Sequence, residues 1–241
     1  MSQRTTLITG GNSGIGAAIG QRLLDKGEAV VSLGLAMPET EHPGLTGYVA
    51  DLTNPQDTAE IAQEICAKHG IDQLVHNAGM ILPNPLADAD PNDILTLAQL
   101  HLAAPMALTK AALAGMEARG YGRILFISSR ASMGMPTRSA YASTKAGVHG
   151  LARTWALELA PKGITVNVIA PGPVLTDNFW GIVPKDGELQ DKIARGVPVG
   201  RIGTVEDIAN AAEFFLQEGS GFVTGQVVFV CGGTSLGGLN L

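Results

Sequence analysis

A chain of 241 residues, 45% of them hydrophobic and with a formal net charge of −6, is long enough for one large α/β unit and apolar enough to fill its core. The acidic balance, with no cluster of Lys or Arg, excludes nucleic acid as an expected partner, because the cationic footprint for a phosphate backbone is missing. Two cysteines, Cys66 and Cys231, make no disulfide framework and lie in no C-x-x-C or His-rich context, so no metal site is expected. No signal-peptide pattern precedes Thr9-Gly10, and no apolar run approaches the roughly 20 residues of a membrane span. The chain reads as cytoplasmic, without a membrane partner.

Short β-branched and aliphatic runs alternate with longer helical patterns, which predicts βα units on a parallel sheet. In chain order the predicted strands are Thr6–Thr9, Ala29–Leu33, Gly47–Val49, Gln73–His76, Arg123–Ser128, Thr165–Ala170 and Gln226–Val230. Several are apolar on both faces, as strands covered by helices on both sides must be. The predicted helices are Gly14–Lys26, Asp57–His69, Pro91–Ala118, Ala140–Leu159 and Val205–Gln217. Between Leu35 and Tyr48, Pro38, Pro43, Gly44 and Gly47 interrupt any apolar period and predict a loop instead of a crossover helix. Pro171–Gly203, rich in Gly and Pro and containing Phe179-Trp180, reads as a substrate-binding loop. The expected fold is a single α/β domain over residues 1–241, a Rossmann-type doubly wound parallel sheet with helices on both faces.

The motifs follow from this layout. Thr9-Gly10-Gly11-Asn12-Ser13-Gly14-Ile15-Gly16 follows the first strand and opens the first helix. Glycines there let the backbone turn tightly and approach a pyrophosphate, whose charge is favoured at a helix N-terminus. The spacing, Gly-x-x-x-Gly-x-Gly, departs from the usual Gly-x-Gly-x-x-Gly fingerprint. Tyr141 and Lys145 lie four apart in a helical pattern and share a face. An ammonium beside a phenol favours the phenolate and brings tyrosine into range for general acid–base work.

With these marks, and with Asp51-Leu52, Asn77-Ala78-Gly79, Ser129, Pro171-Gly172, Thr176 and Gly225-Gln226 in order along nearly the whole chain, the sequence resembles the main branch of the short-chain dehydrogenase/reductase family. The resemblance implies an NAD(P)-dependent oxidoreductase that interconverts a secondary alcohol and a ketone, with Tyr141 as general acid/base and Lys145 beside it. The family's usual serine-to-tyrosine spacing selects Ser128, whereas strand register selects Ser129. A loop deletion is easier than a register slip, which would reverse the strand's faces, so Ser129 is preferred, its hydroxyl stabilising charge on the substrate oxygen. The family's asparagine, which holds a water by its backbone carbonyl, is replaced by His101. The histidine keeps that carbonyl and adds a titratable ring, so a pH-dependent part in the proton relay is expected.

For the cofactor, the resemblance implies contacts from Gly10, Asn12, Ser13, Gly14, Ile15 and Gly16. It also implies an adenine site at Asp51 and Leu52, a ribose path past Asn77, Ala78 and Gly79, and a nicotinamide end at Tyr141, Lys145, Pro171, Gly172, Val174 and Thr176. The ribose-reading position carries Gly34-Leu35, and no Lys or Arg occurs from Gly27 through Ala67, which leans the choice between NAD(H) and NADP(H) toward NAD(H). Met80–Leu82, Arg130–Arg138, Val174, Phe179 and Trp180 are expected to wall a largely apolar substrate pocket for a small carbonyl or alcohol. Arg130 and Arg138 could hold a carboxylate or simply face solvent. Ala- and Leu-rich surfaces on the two long helices, with an apolar tail at Leu236–Leu241, point to a homotetramer, or failing that a dimer. The competing readings are a cofactor-binding regulator without turnover and an epimerase or dehydratase relative; retention of both Tyr141 and Lys145 argues against the regulator.

Overall fold

A computed structural model of the chain describes residues 3–176, 179, 181, 183 and 187–236. Trp180 and residues 237–241 of the apolar tail lie outside these. Seven parallel strands form one sheet in the order β3-β2-β1-β4-β5-β6-β7. They are β1 (Thr5–Thr9), β2 (Ala29–Gly34), β3 (Leu45–Val49), β4 (Gln73–His76), β5 (Gly122–Ile127), β6 (Ile164–Pro171) and β7 (Val227–Val230). Every predicted strand is present, with ends shifted by at most two residues. The order runs outward in both directions from β1 and β4, which makes their junction the switch point where doubly wound sheets open a crevice beyond the strand C-termini.

The helices are α1 (Gly14–Asp25), α2 (Pro55–Lys68), α3 (Pro91–Ala98), α4 (Ala104–Arg119), α5 (Ser139–Leu159), α6 (Glu188–Gly196) and α7 (Val205–Leu216). Local chemistry sets several boundaries. Asn54 accepts hydrogen bonds from the N–H groups of Gln56 and Asp57, with Pro55 pre-set for the first turn of α2. Thr204 and Asp207 form a reciprocal capping box at α7. Gly120, at φ 60°, closes α4 in the left-handed region.

Two features depart from the sequence reading. The predicted helix over 91–118 is divided by a π-helical turn at Gln99–Ala103. The segment read as an irregular loop at 171–203 contains α6, and its two ends are tied by a parallel bridge between Val174 and Gly203. The connection from β2 to β3 is non-helical, as expected from its prolines and glycines.

The sheet separates two apolar cores. One, around Leu7, Leu33, Ile65, Leu74, Leu108, Phe126 and Trp155, packs beneath α2, α4 and α5. The other, around Ile8, Ile19, Leu23, Val75, Leu125 and Phe215, packs beneath α1 and α7. The N-terminal rim of the sheet is fastened by polar groups. Asp72 accepts from Arg119 at 2.8 Å and from the Thr5 N–H at 3.0 Å. Gln73 bridges Thr6, Tyr121 and the Leu216 carbonyl, and the Tyr121 ring is sandwiched between the Arg4 and Arg123 guanidinium groups. The C-terminal rim carries the site.

Candidate active site

The glycine segment turns the chain from β1 into α1 with almost no room to spare. Gly10 takes φ +64°, and a β-carbon at Gly16 would stand 2.1 Å from the Gly10 carbonyl oxygen and 2.6 Å from Asn77 Nδ2. Asn77 fastens the loop by donating from Nδ2 to the carbonyls of Thr9 and Gly10, while its own N–H and that of Ala78 both donate to Thr9 Oγ1. At the start of α1, Ser13 makes no side-chain cap and no acid occupies the first turn. The helix N–H groups and the positive end of its dipole are therefore left for an anion. Thr176 closes over this point, its methyl carbon 3.8 Å from where a Gly14 β-carbon would sit. The arrangement fits the pyrophosphate of a dinucleotide.

A cleft of about 760 Å³ runs from this loop across the C-terminal ends of β1, β4, β5 and β6. Of the residues expected at the cofactor, Gly10, Ser13, Gly14, Ile15, Asn77, Ala78, Gly79, Tyr141, Lys145, Pro171, Gly172, Val174 and Thr176 line it, and so does Ser129. Four others are placed differently. Gly16 lies behind the loop as the point of closest packing, and Asn12 covers the end of β2, its Oδ1 2.5 Å from a β-carbon built on Gly34. Asp51 is exposed and accepts from the N–H and hydroxyl of Thr53 at 2.9 and 2.7 Å, fixing its own turn. Leu52 is a correction: its apolar side chain is buried in the core beside α2 instead of lining the cleft.

The two candidate serines both border the cleft but have different partners. Ser128 Oγ donates to the Lys145 carbonyl at 2.9 Å and pairs with His149 Nε2 at 2.9 Å, so it binds β5 to α5. Ser129 accepts from the Ala131 N–H and stands at the cleft with Tyr141. Strand alternation produces this division. Tyr141 is raised above the usual phenol range by burial, with the Ser129 hydroxyl and then the Arg138 guanidinium pulling it back. Lys145 Nζ lies 5.7 Å from the Tyr141 ring centre and donates to the Ile127 carbonyl at 2.8 Å. Burial lowers Lys145 to about 8. Ser129 and Arg138 therefore join the lysine, whose ammonium stands over the same ring, as groups that favour the phenolate.

His101 occupies the middle of the π-helical turn and is 2% exposed. Its Nδ1 is 2.9 Å from Thr144 Oγ1, whose single proton is directed at the carbonyls of Ala140 and Tyr141. With that proton on a carbonyl, the Thr144 oxygen is free to accept from Nδ1–H, the tautomer that leaves a lone pair on Nε2. That nitrogen has no hydrogen-bond partner among the described residues. It lies 3.1 Å from a β-carbon built on Gly79, and Lys145 Nζ lies 3.3 Å from the same point. Behind them is a cavity of about 10 Å³, room for one water, also lined by His76, whose Nδ1 is likewise unpartnered. His76 was not singled out in the sequence; the only signal was a polar residue in an apolar strand just before Asn77-Ala78-Gly79.

Burial, and then the Lys145 charge, lower His101 to about 2; burial alone lowers His76 to about 3. Both rings stay neutral through the working pH range, which corrects the expectation of a titrating relay at His101. The His101→Asn variant is expected to keep activity within about tenfold (~1.4 kcal/mol). Its pH–rate profile between pH 5 and 9 should superimpose on that of the parent; a shifted limb would reinstate the imidazolium.

The family model described as enoyl-(acyl carrier protein) reductase matches residues 10–235. The 3-oxoacyl-[acyl-carrier-protein] reductase FabG of Haemophilus influenzae is 34% identical over 246 residues, covering 98% of this chain and 100% of its own. The chain belongs to the short-chain dehydrogenase/reductase family. Another relative at this level is the (2S)-[(R)-hydroxy(phenyl)methyl]succinyl-CoA dehydrogenase subunit BbsD of Thauera aromatica, 37% identical with 98% of each chain covered. Among solved structures, a candidate NAD(P)-dependent gluconate 5-dehydrogenase from Beutenbergia cavernae has a TM-score of 0.91 at 33% identity, with 97% of each chain covered. That structure holds NADP at low occupancy. The comparisons therefore give a nicotinamide dinucleotide oxidoreductase and do not support the lean toward NAD(H). No described helix of this family member is long and apolar enough to cross a membrane, and no metal-ligating cluster occurs among the described residues.

Proposed function

We propose that the protein interconverts a secondary alcohol and a ketone with NADP(H) or NAD(H), using Tyr141 as the proton donor and acceptor. The observation that carries this reading is the convergence of Ser129, Tyr141 and Lys145 at one end of a cleft whose other end is a bare helix N-terminus. When bound, the nicotinamide supplies hydride to the carbonyl carbon or takes it back. The chain's own residues do the rest. Ser129 hydrogen-bonds the substrate oxygen, and Tyr141 gives that oxygen its proton during reduction. Lys145, held by the Ile127 carbonyl, returns a proton to the phenol. A water in the small cavity, accepting from Lys145 and donating to His101 Nε2 or His76 Nδ1, would steady the lysine, which regains its proton from solvent through the large cleft that it lines.

The single-domain reading of the chain stands with this proposal, as does placement in the cytoplasm. We take the homotetramer as the assembly. Leu95, Met106 and Leu157 are exposed large hydrophobics on α3, α4 and α5, and Phe222 and Val228 are exposed near the β7 edge.

At the ribose end, Gly34 and Leu35 bring neither an acid against a 2′-phosphate nor a cation toward it. Discrimination there rests on neutral contacts, and the NADP-bound relative makes NADP(H) the partner to try first. In initial-rate assays on a ketone panel, kcat/KM for NADPH and NADH should differ by no more than about tenfold. A difference of several hundredfold would require a charged ribose reader. Tight cofactor binding with no turnover of any ketone would favour the regulator.

A further inference from the structure

The ionisable groups on the described wall of the large cleft include three cations and no carboxylate: Arg130, Arg138 and Lys145. Lys145 is occupied with the Ile127 carbonyl. Arg130 and Arg138 lie in the segment between Ser129 and Tyr141 and line the same cleft as both. Neither forms an ion pair among the described residues. An unpaired arginine is ordinary at a protein surface, but Arg138 is held in place. Its Nη1 donates to both the carbonyl and the hydroxyl of the preceding Thr137.

Thr137 itself adopts φ +63°, alone among the described non-glycine residues in the left-handed region. Its carbonyl also accepts from the Asn84 N–H at 3.0 Å. A β-branched residue in that conformation is strained and persists only where its surroundings impose it. One edge of the guanidinium is thus anchored to a strained, tethered turn, while the other nitrogens remain available to the cleft. Arg138 is half-buried, and its charge reaches the Tyr141 hydroxyl.

We propose that Arg138, together with Arg130, forms an anion subsite, and that the substrate is an oxo acid or the corresponding hydroxy acid. Its reacting oxygen sits at Ser129 and Tyr141 and its carboxylate on the guanidinium groups. The planar fork of arginine matches a carboxylate in a way a lysine does not. Ile81, Met135, Val183, Ile193 and Val197 on the same cleft wall accommodate the carbon body of such an acid. The assignment of the ligand as substrate rests on the oxidoreductase reading; the binding of an anion does not.

The test is calorimetric titration of the protein–NADPH complex with β-hydroxybutanoate, β-hydroxyhexanoate and mandelate, each against its methyl ester. The dead-end complex reports affinity without turnover. At least one acid should bind about tenfold or more tightly than its ester. Arg138→Gln should bring that ratio close to one, Arg130→Gln should reduce it, and Arg138→Lys should retain part of it. Equal affinity of acid and ester in the parent protein, or no binding of any acid, overturns the subsite without recourse to a variant, as does a ratio unmoved by both glutamine substitutions. Turnover of the matched oxo compounds is scored separately. Acid-selective binding with no reduction of any oxo acid would sink the oxidoreductase reading and leave the subsite standing, whereas efficient reduction of esters in preference to acids would do the reverse.

Discussion

Replacing Tyr141 by phenylalanine is expected to lower kcat for ketone reduction by about 10²- to 10⁴-fold, the range for loss of a positioned acid, with cofactor affinity nearly intact. The substitution removes one oxygen and leaves the ring, which packs edge-on against His101 at 5.7 Å between ring centres. The pH dependence of the parent protein gives the sign of the mechanism. Burial holds the phenol above its ordinary range, so Tyr141 enters the neutral range protonated and ready to donate. Reduction should stay level through neutral pH and fall on the alkaline side as the phenol ionises. Oxidation, which needs the phenolate, should rise over the same span. Stopped-flow rates in both directions check this, and a Tyr141→Phe protein keeping more than a tenth of its activity would remove the tyrosine from the chemistry.

Gly16→Ala should damage the other end of the site by a different route. Its new methyl group would overlap the Gly10 carbonyl oxygen at 2.1 Å and crowd the Asn77 amide that braces the loop. Neither neighbour is the free end of a flexible side chain, so the loop itself must move. Overpacking of this kind costs about 1–3 kcal/mol, equivalent to a fall in Tm of several degrees at this chain length. The displaced loop should weaken NADPH binding by at least about a hundredfold. Tm by calorimetry and the NADPH dissociation constant by fluorescence separate this loss from that of Tyr141→Phe, in which binding survives. Unimpaired NADPH affinity in Gly16→Ala would mean that the glycine loop is not where the dinucleotide sits.

The strands, all but one of the helices, the glycine loop and the Ser129–Tyr141–Lys145 grouping were legible because each depends on a short-range pattern. Period-two and fully apolar strands, four-residue helical spacing and glycine before a helix are written in consecutive residues. The preference for Ser129 over Ser128 rested on strand alternation, which is local in the same sense. Other features were not local. Helix α6 carries Leu189 and Ile193 at helical spacing, but surrounding glycines and prolines masked the period. The π-helical turn is one extra residue in a helix whose apolar faces are broad enough to hide it. Leu52 looked like a cofactor contact until the packing of α2 placed it in the core. His76 acquired meaning only when β4 and the π turn brought its unpartnered nitrogen to the same cavity as His101 and Lys145. The Asp72–Arg119 pair and the Arg4–Tyr121–Arg123 stack join groups distant in sequence and could not be read from it.

That clasp sits at the opposite rim of the sheet from the cleft, a full strand length away from Ser129, Tyr141 and the arginines. Anchorage and selectivity therefore draw on separate sets of residues. The segments that wall the cleft, Arg130–Arg138 and α6, can change without touching the groups that fasten the far rim of the sheet. The sheet is thus a fixed floor under a separable roof, and directed changes of specificity can be confined to the roof.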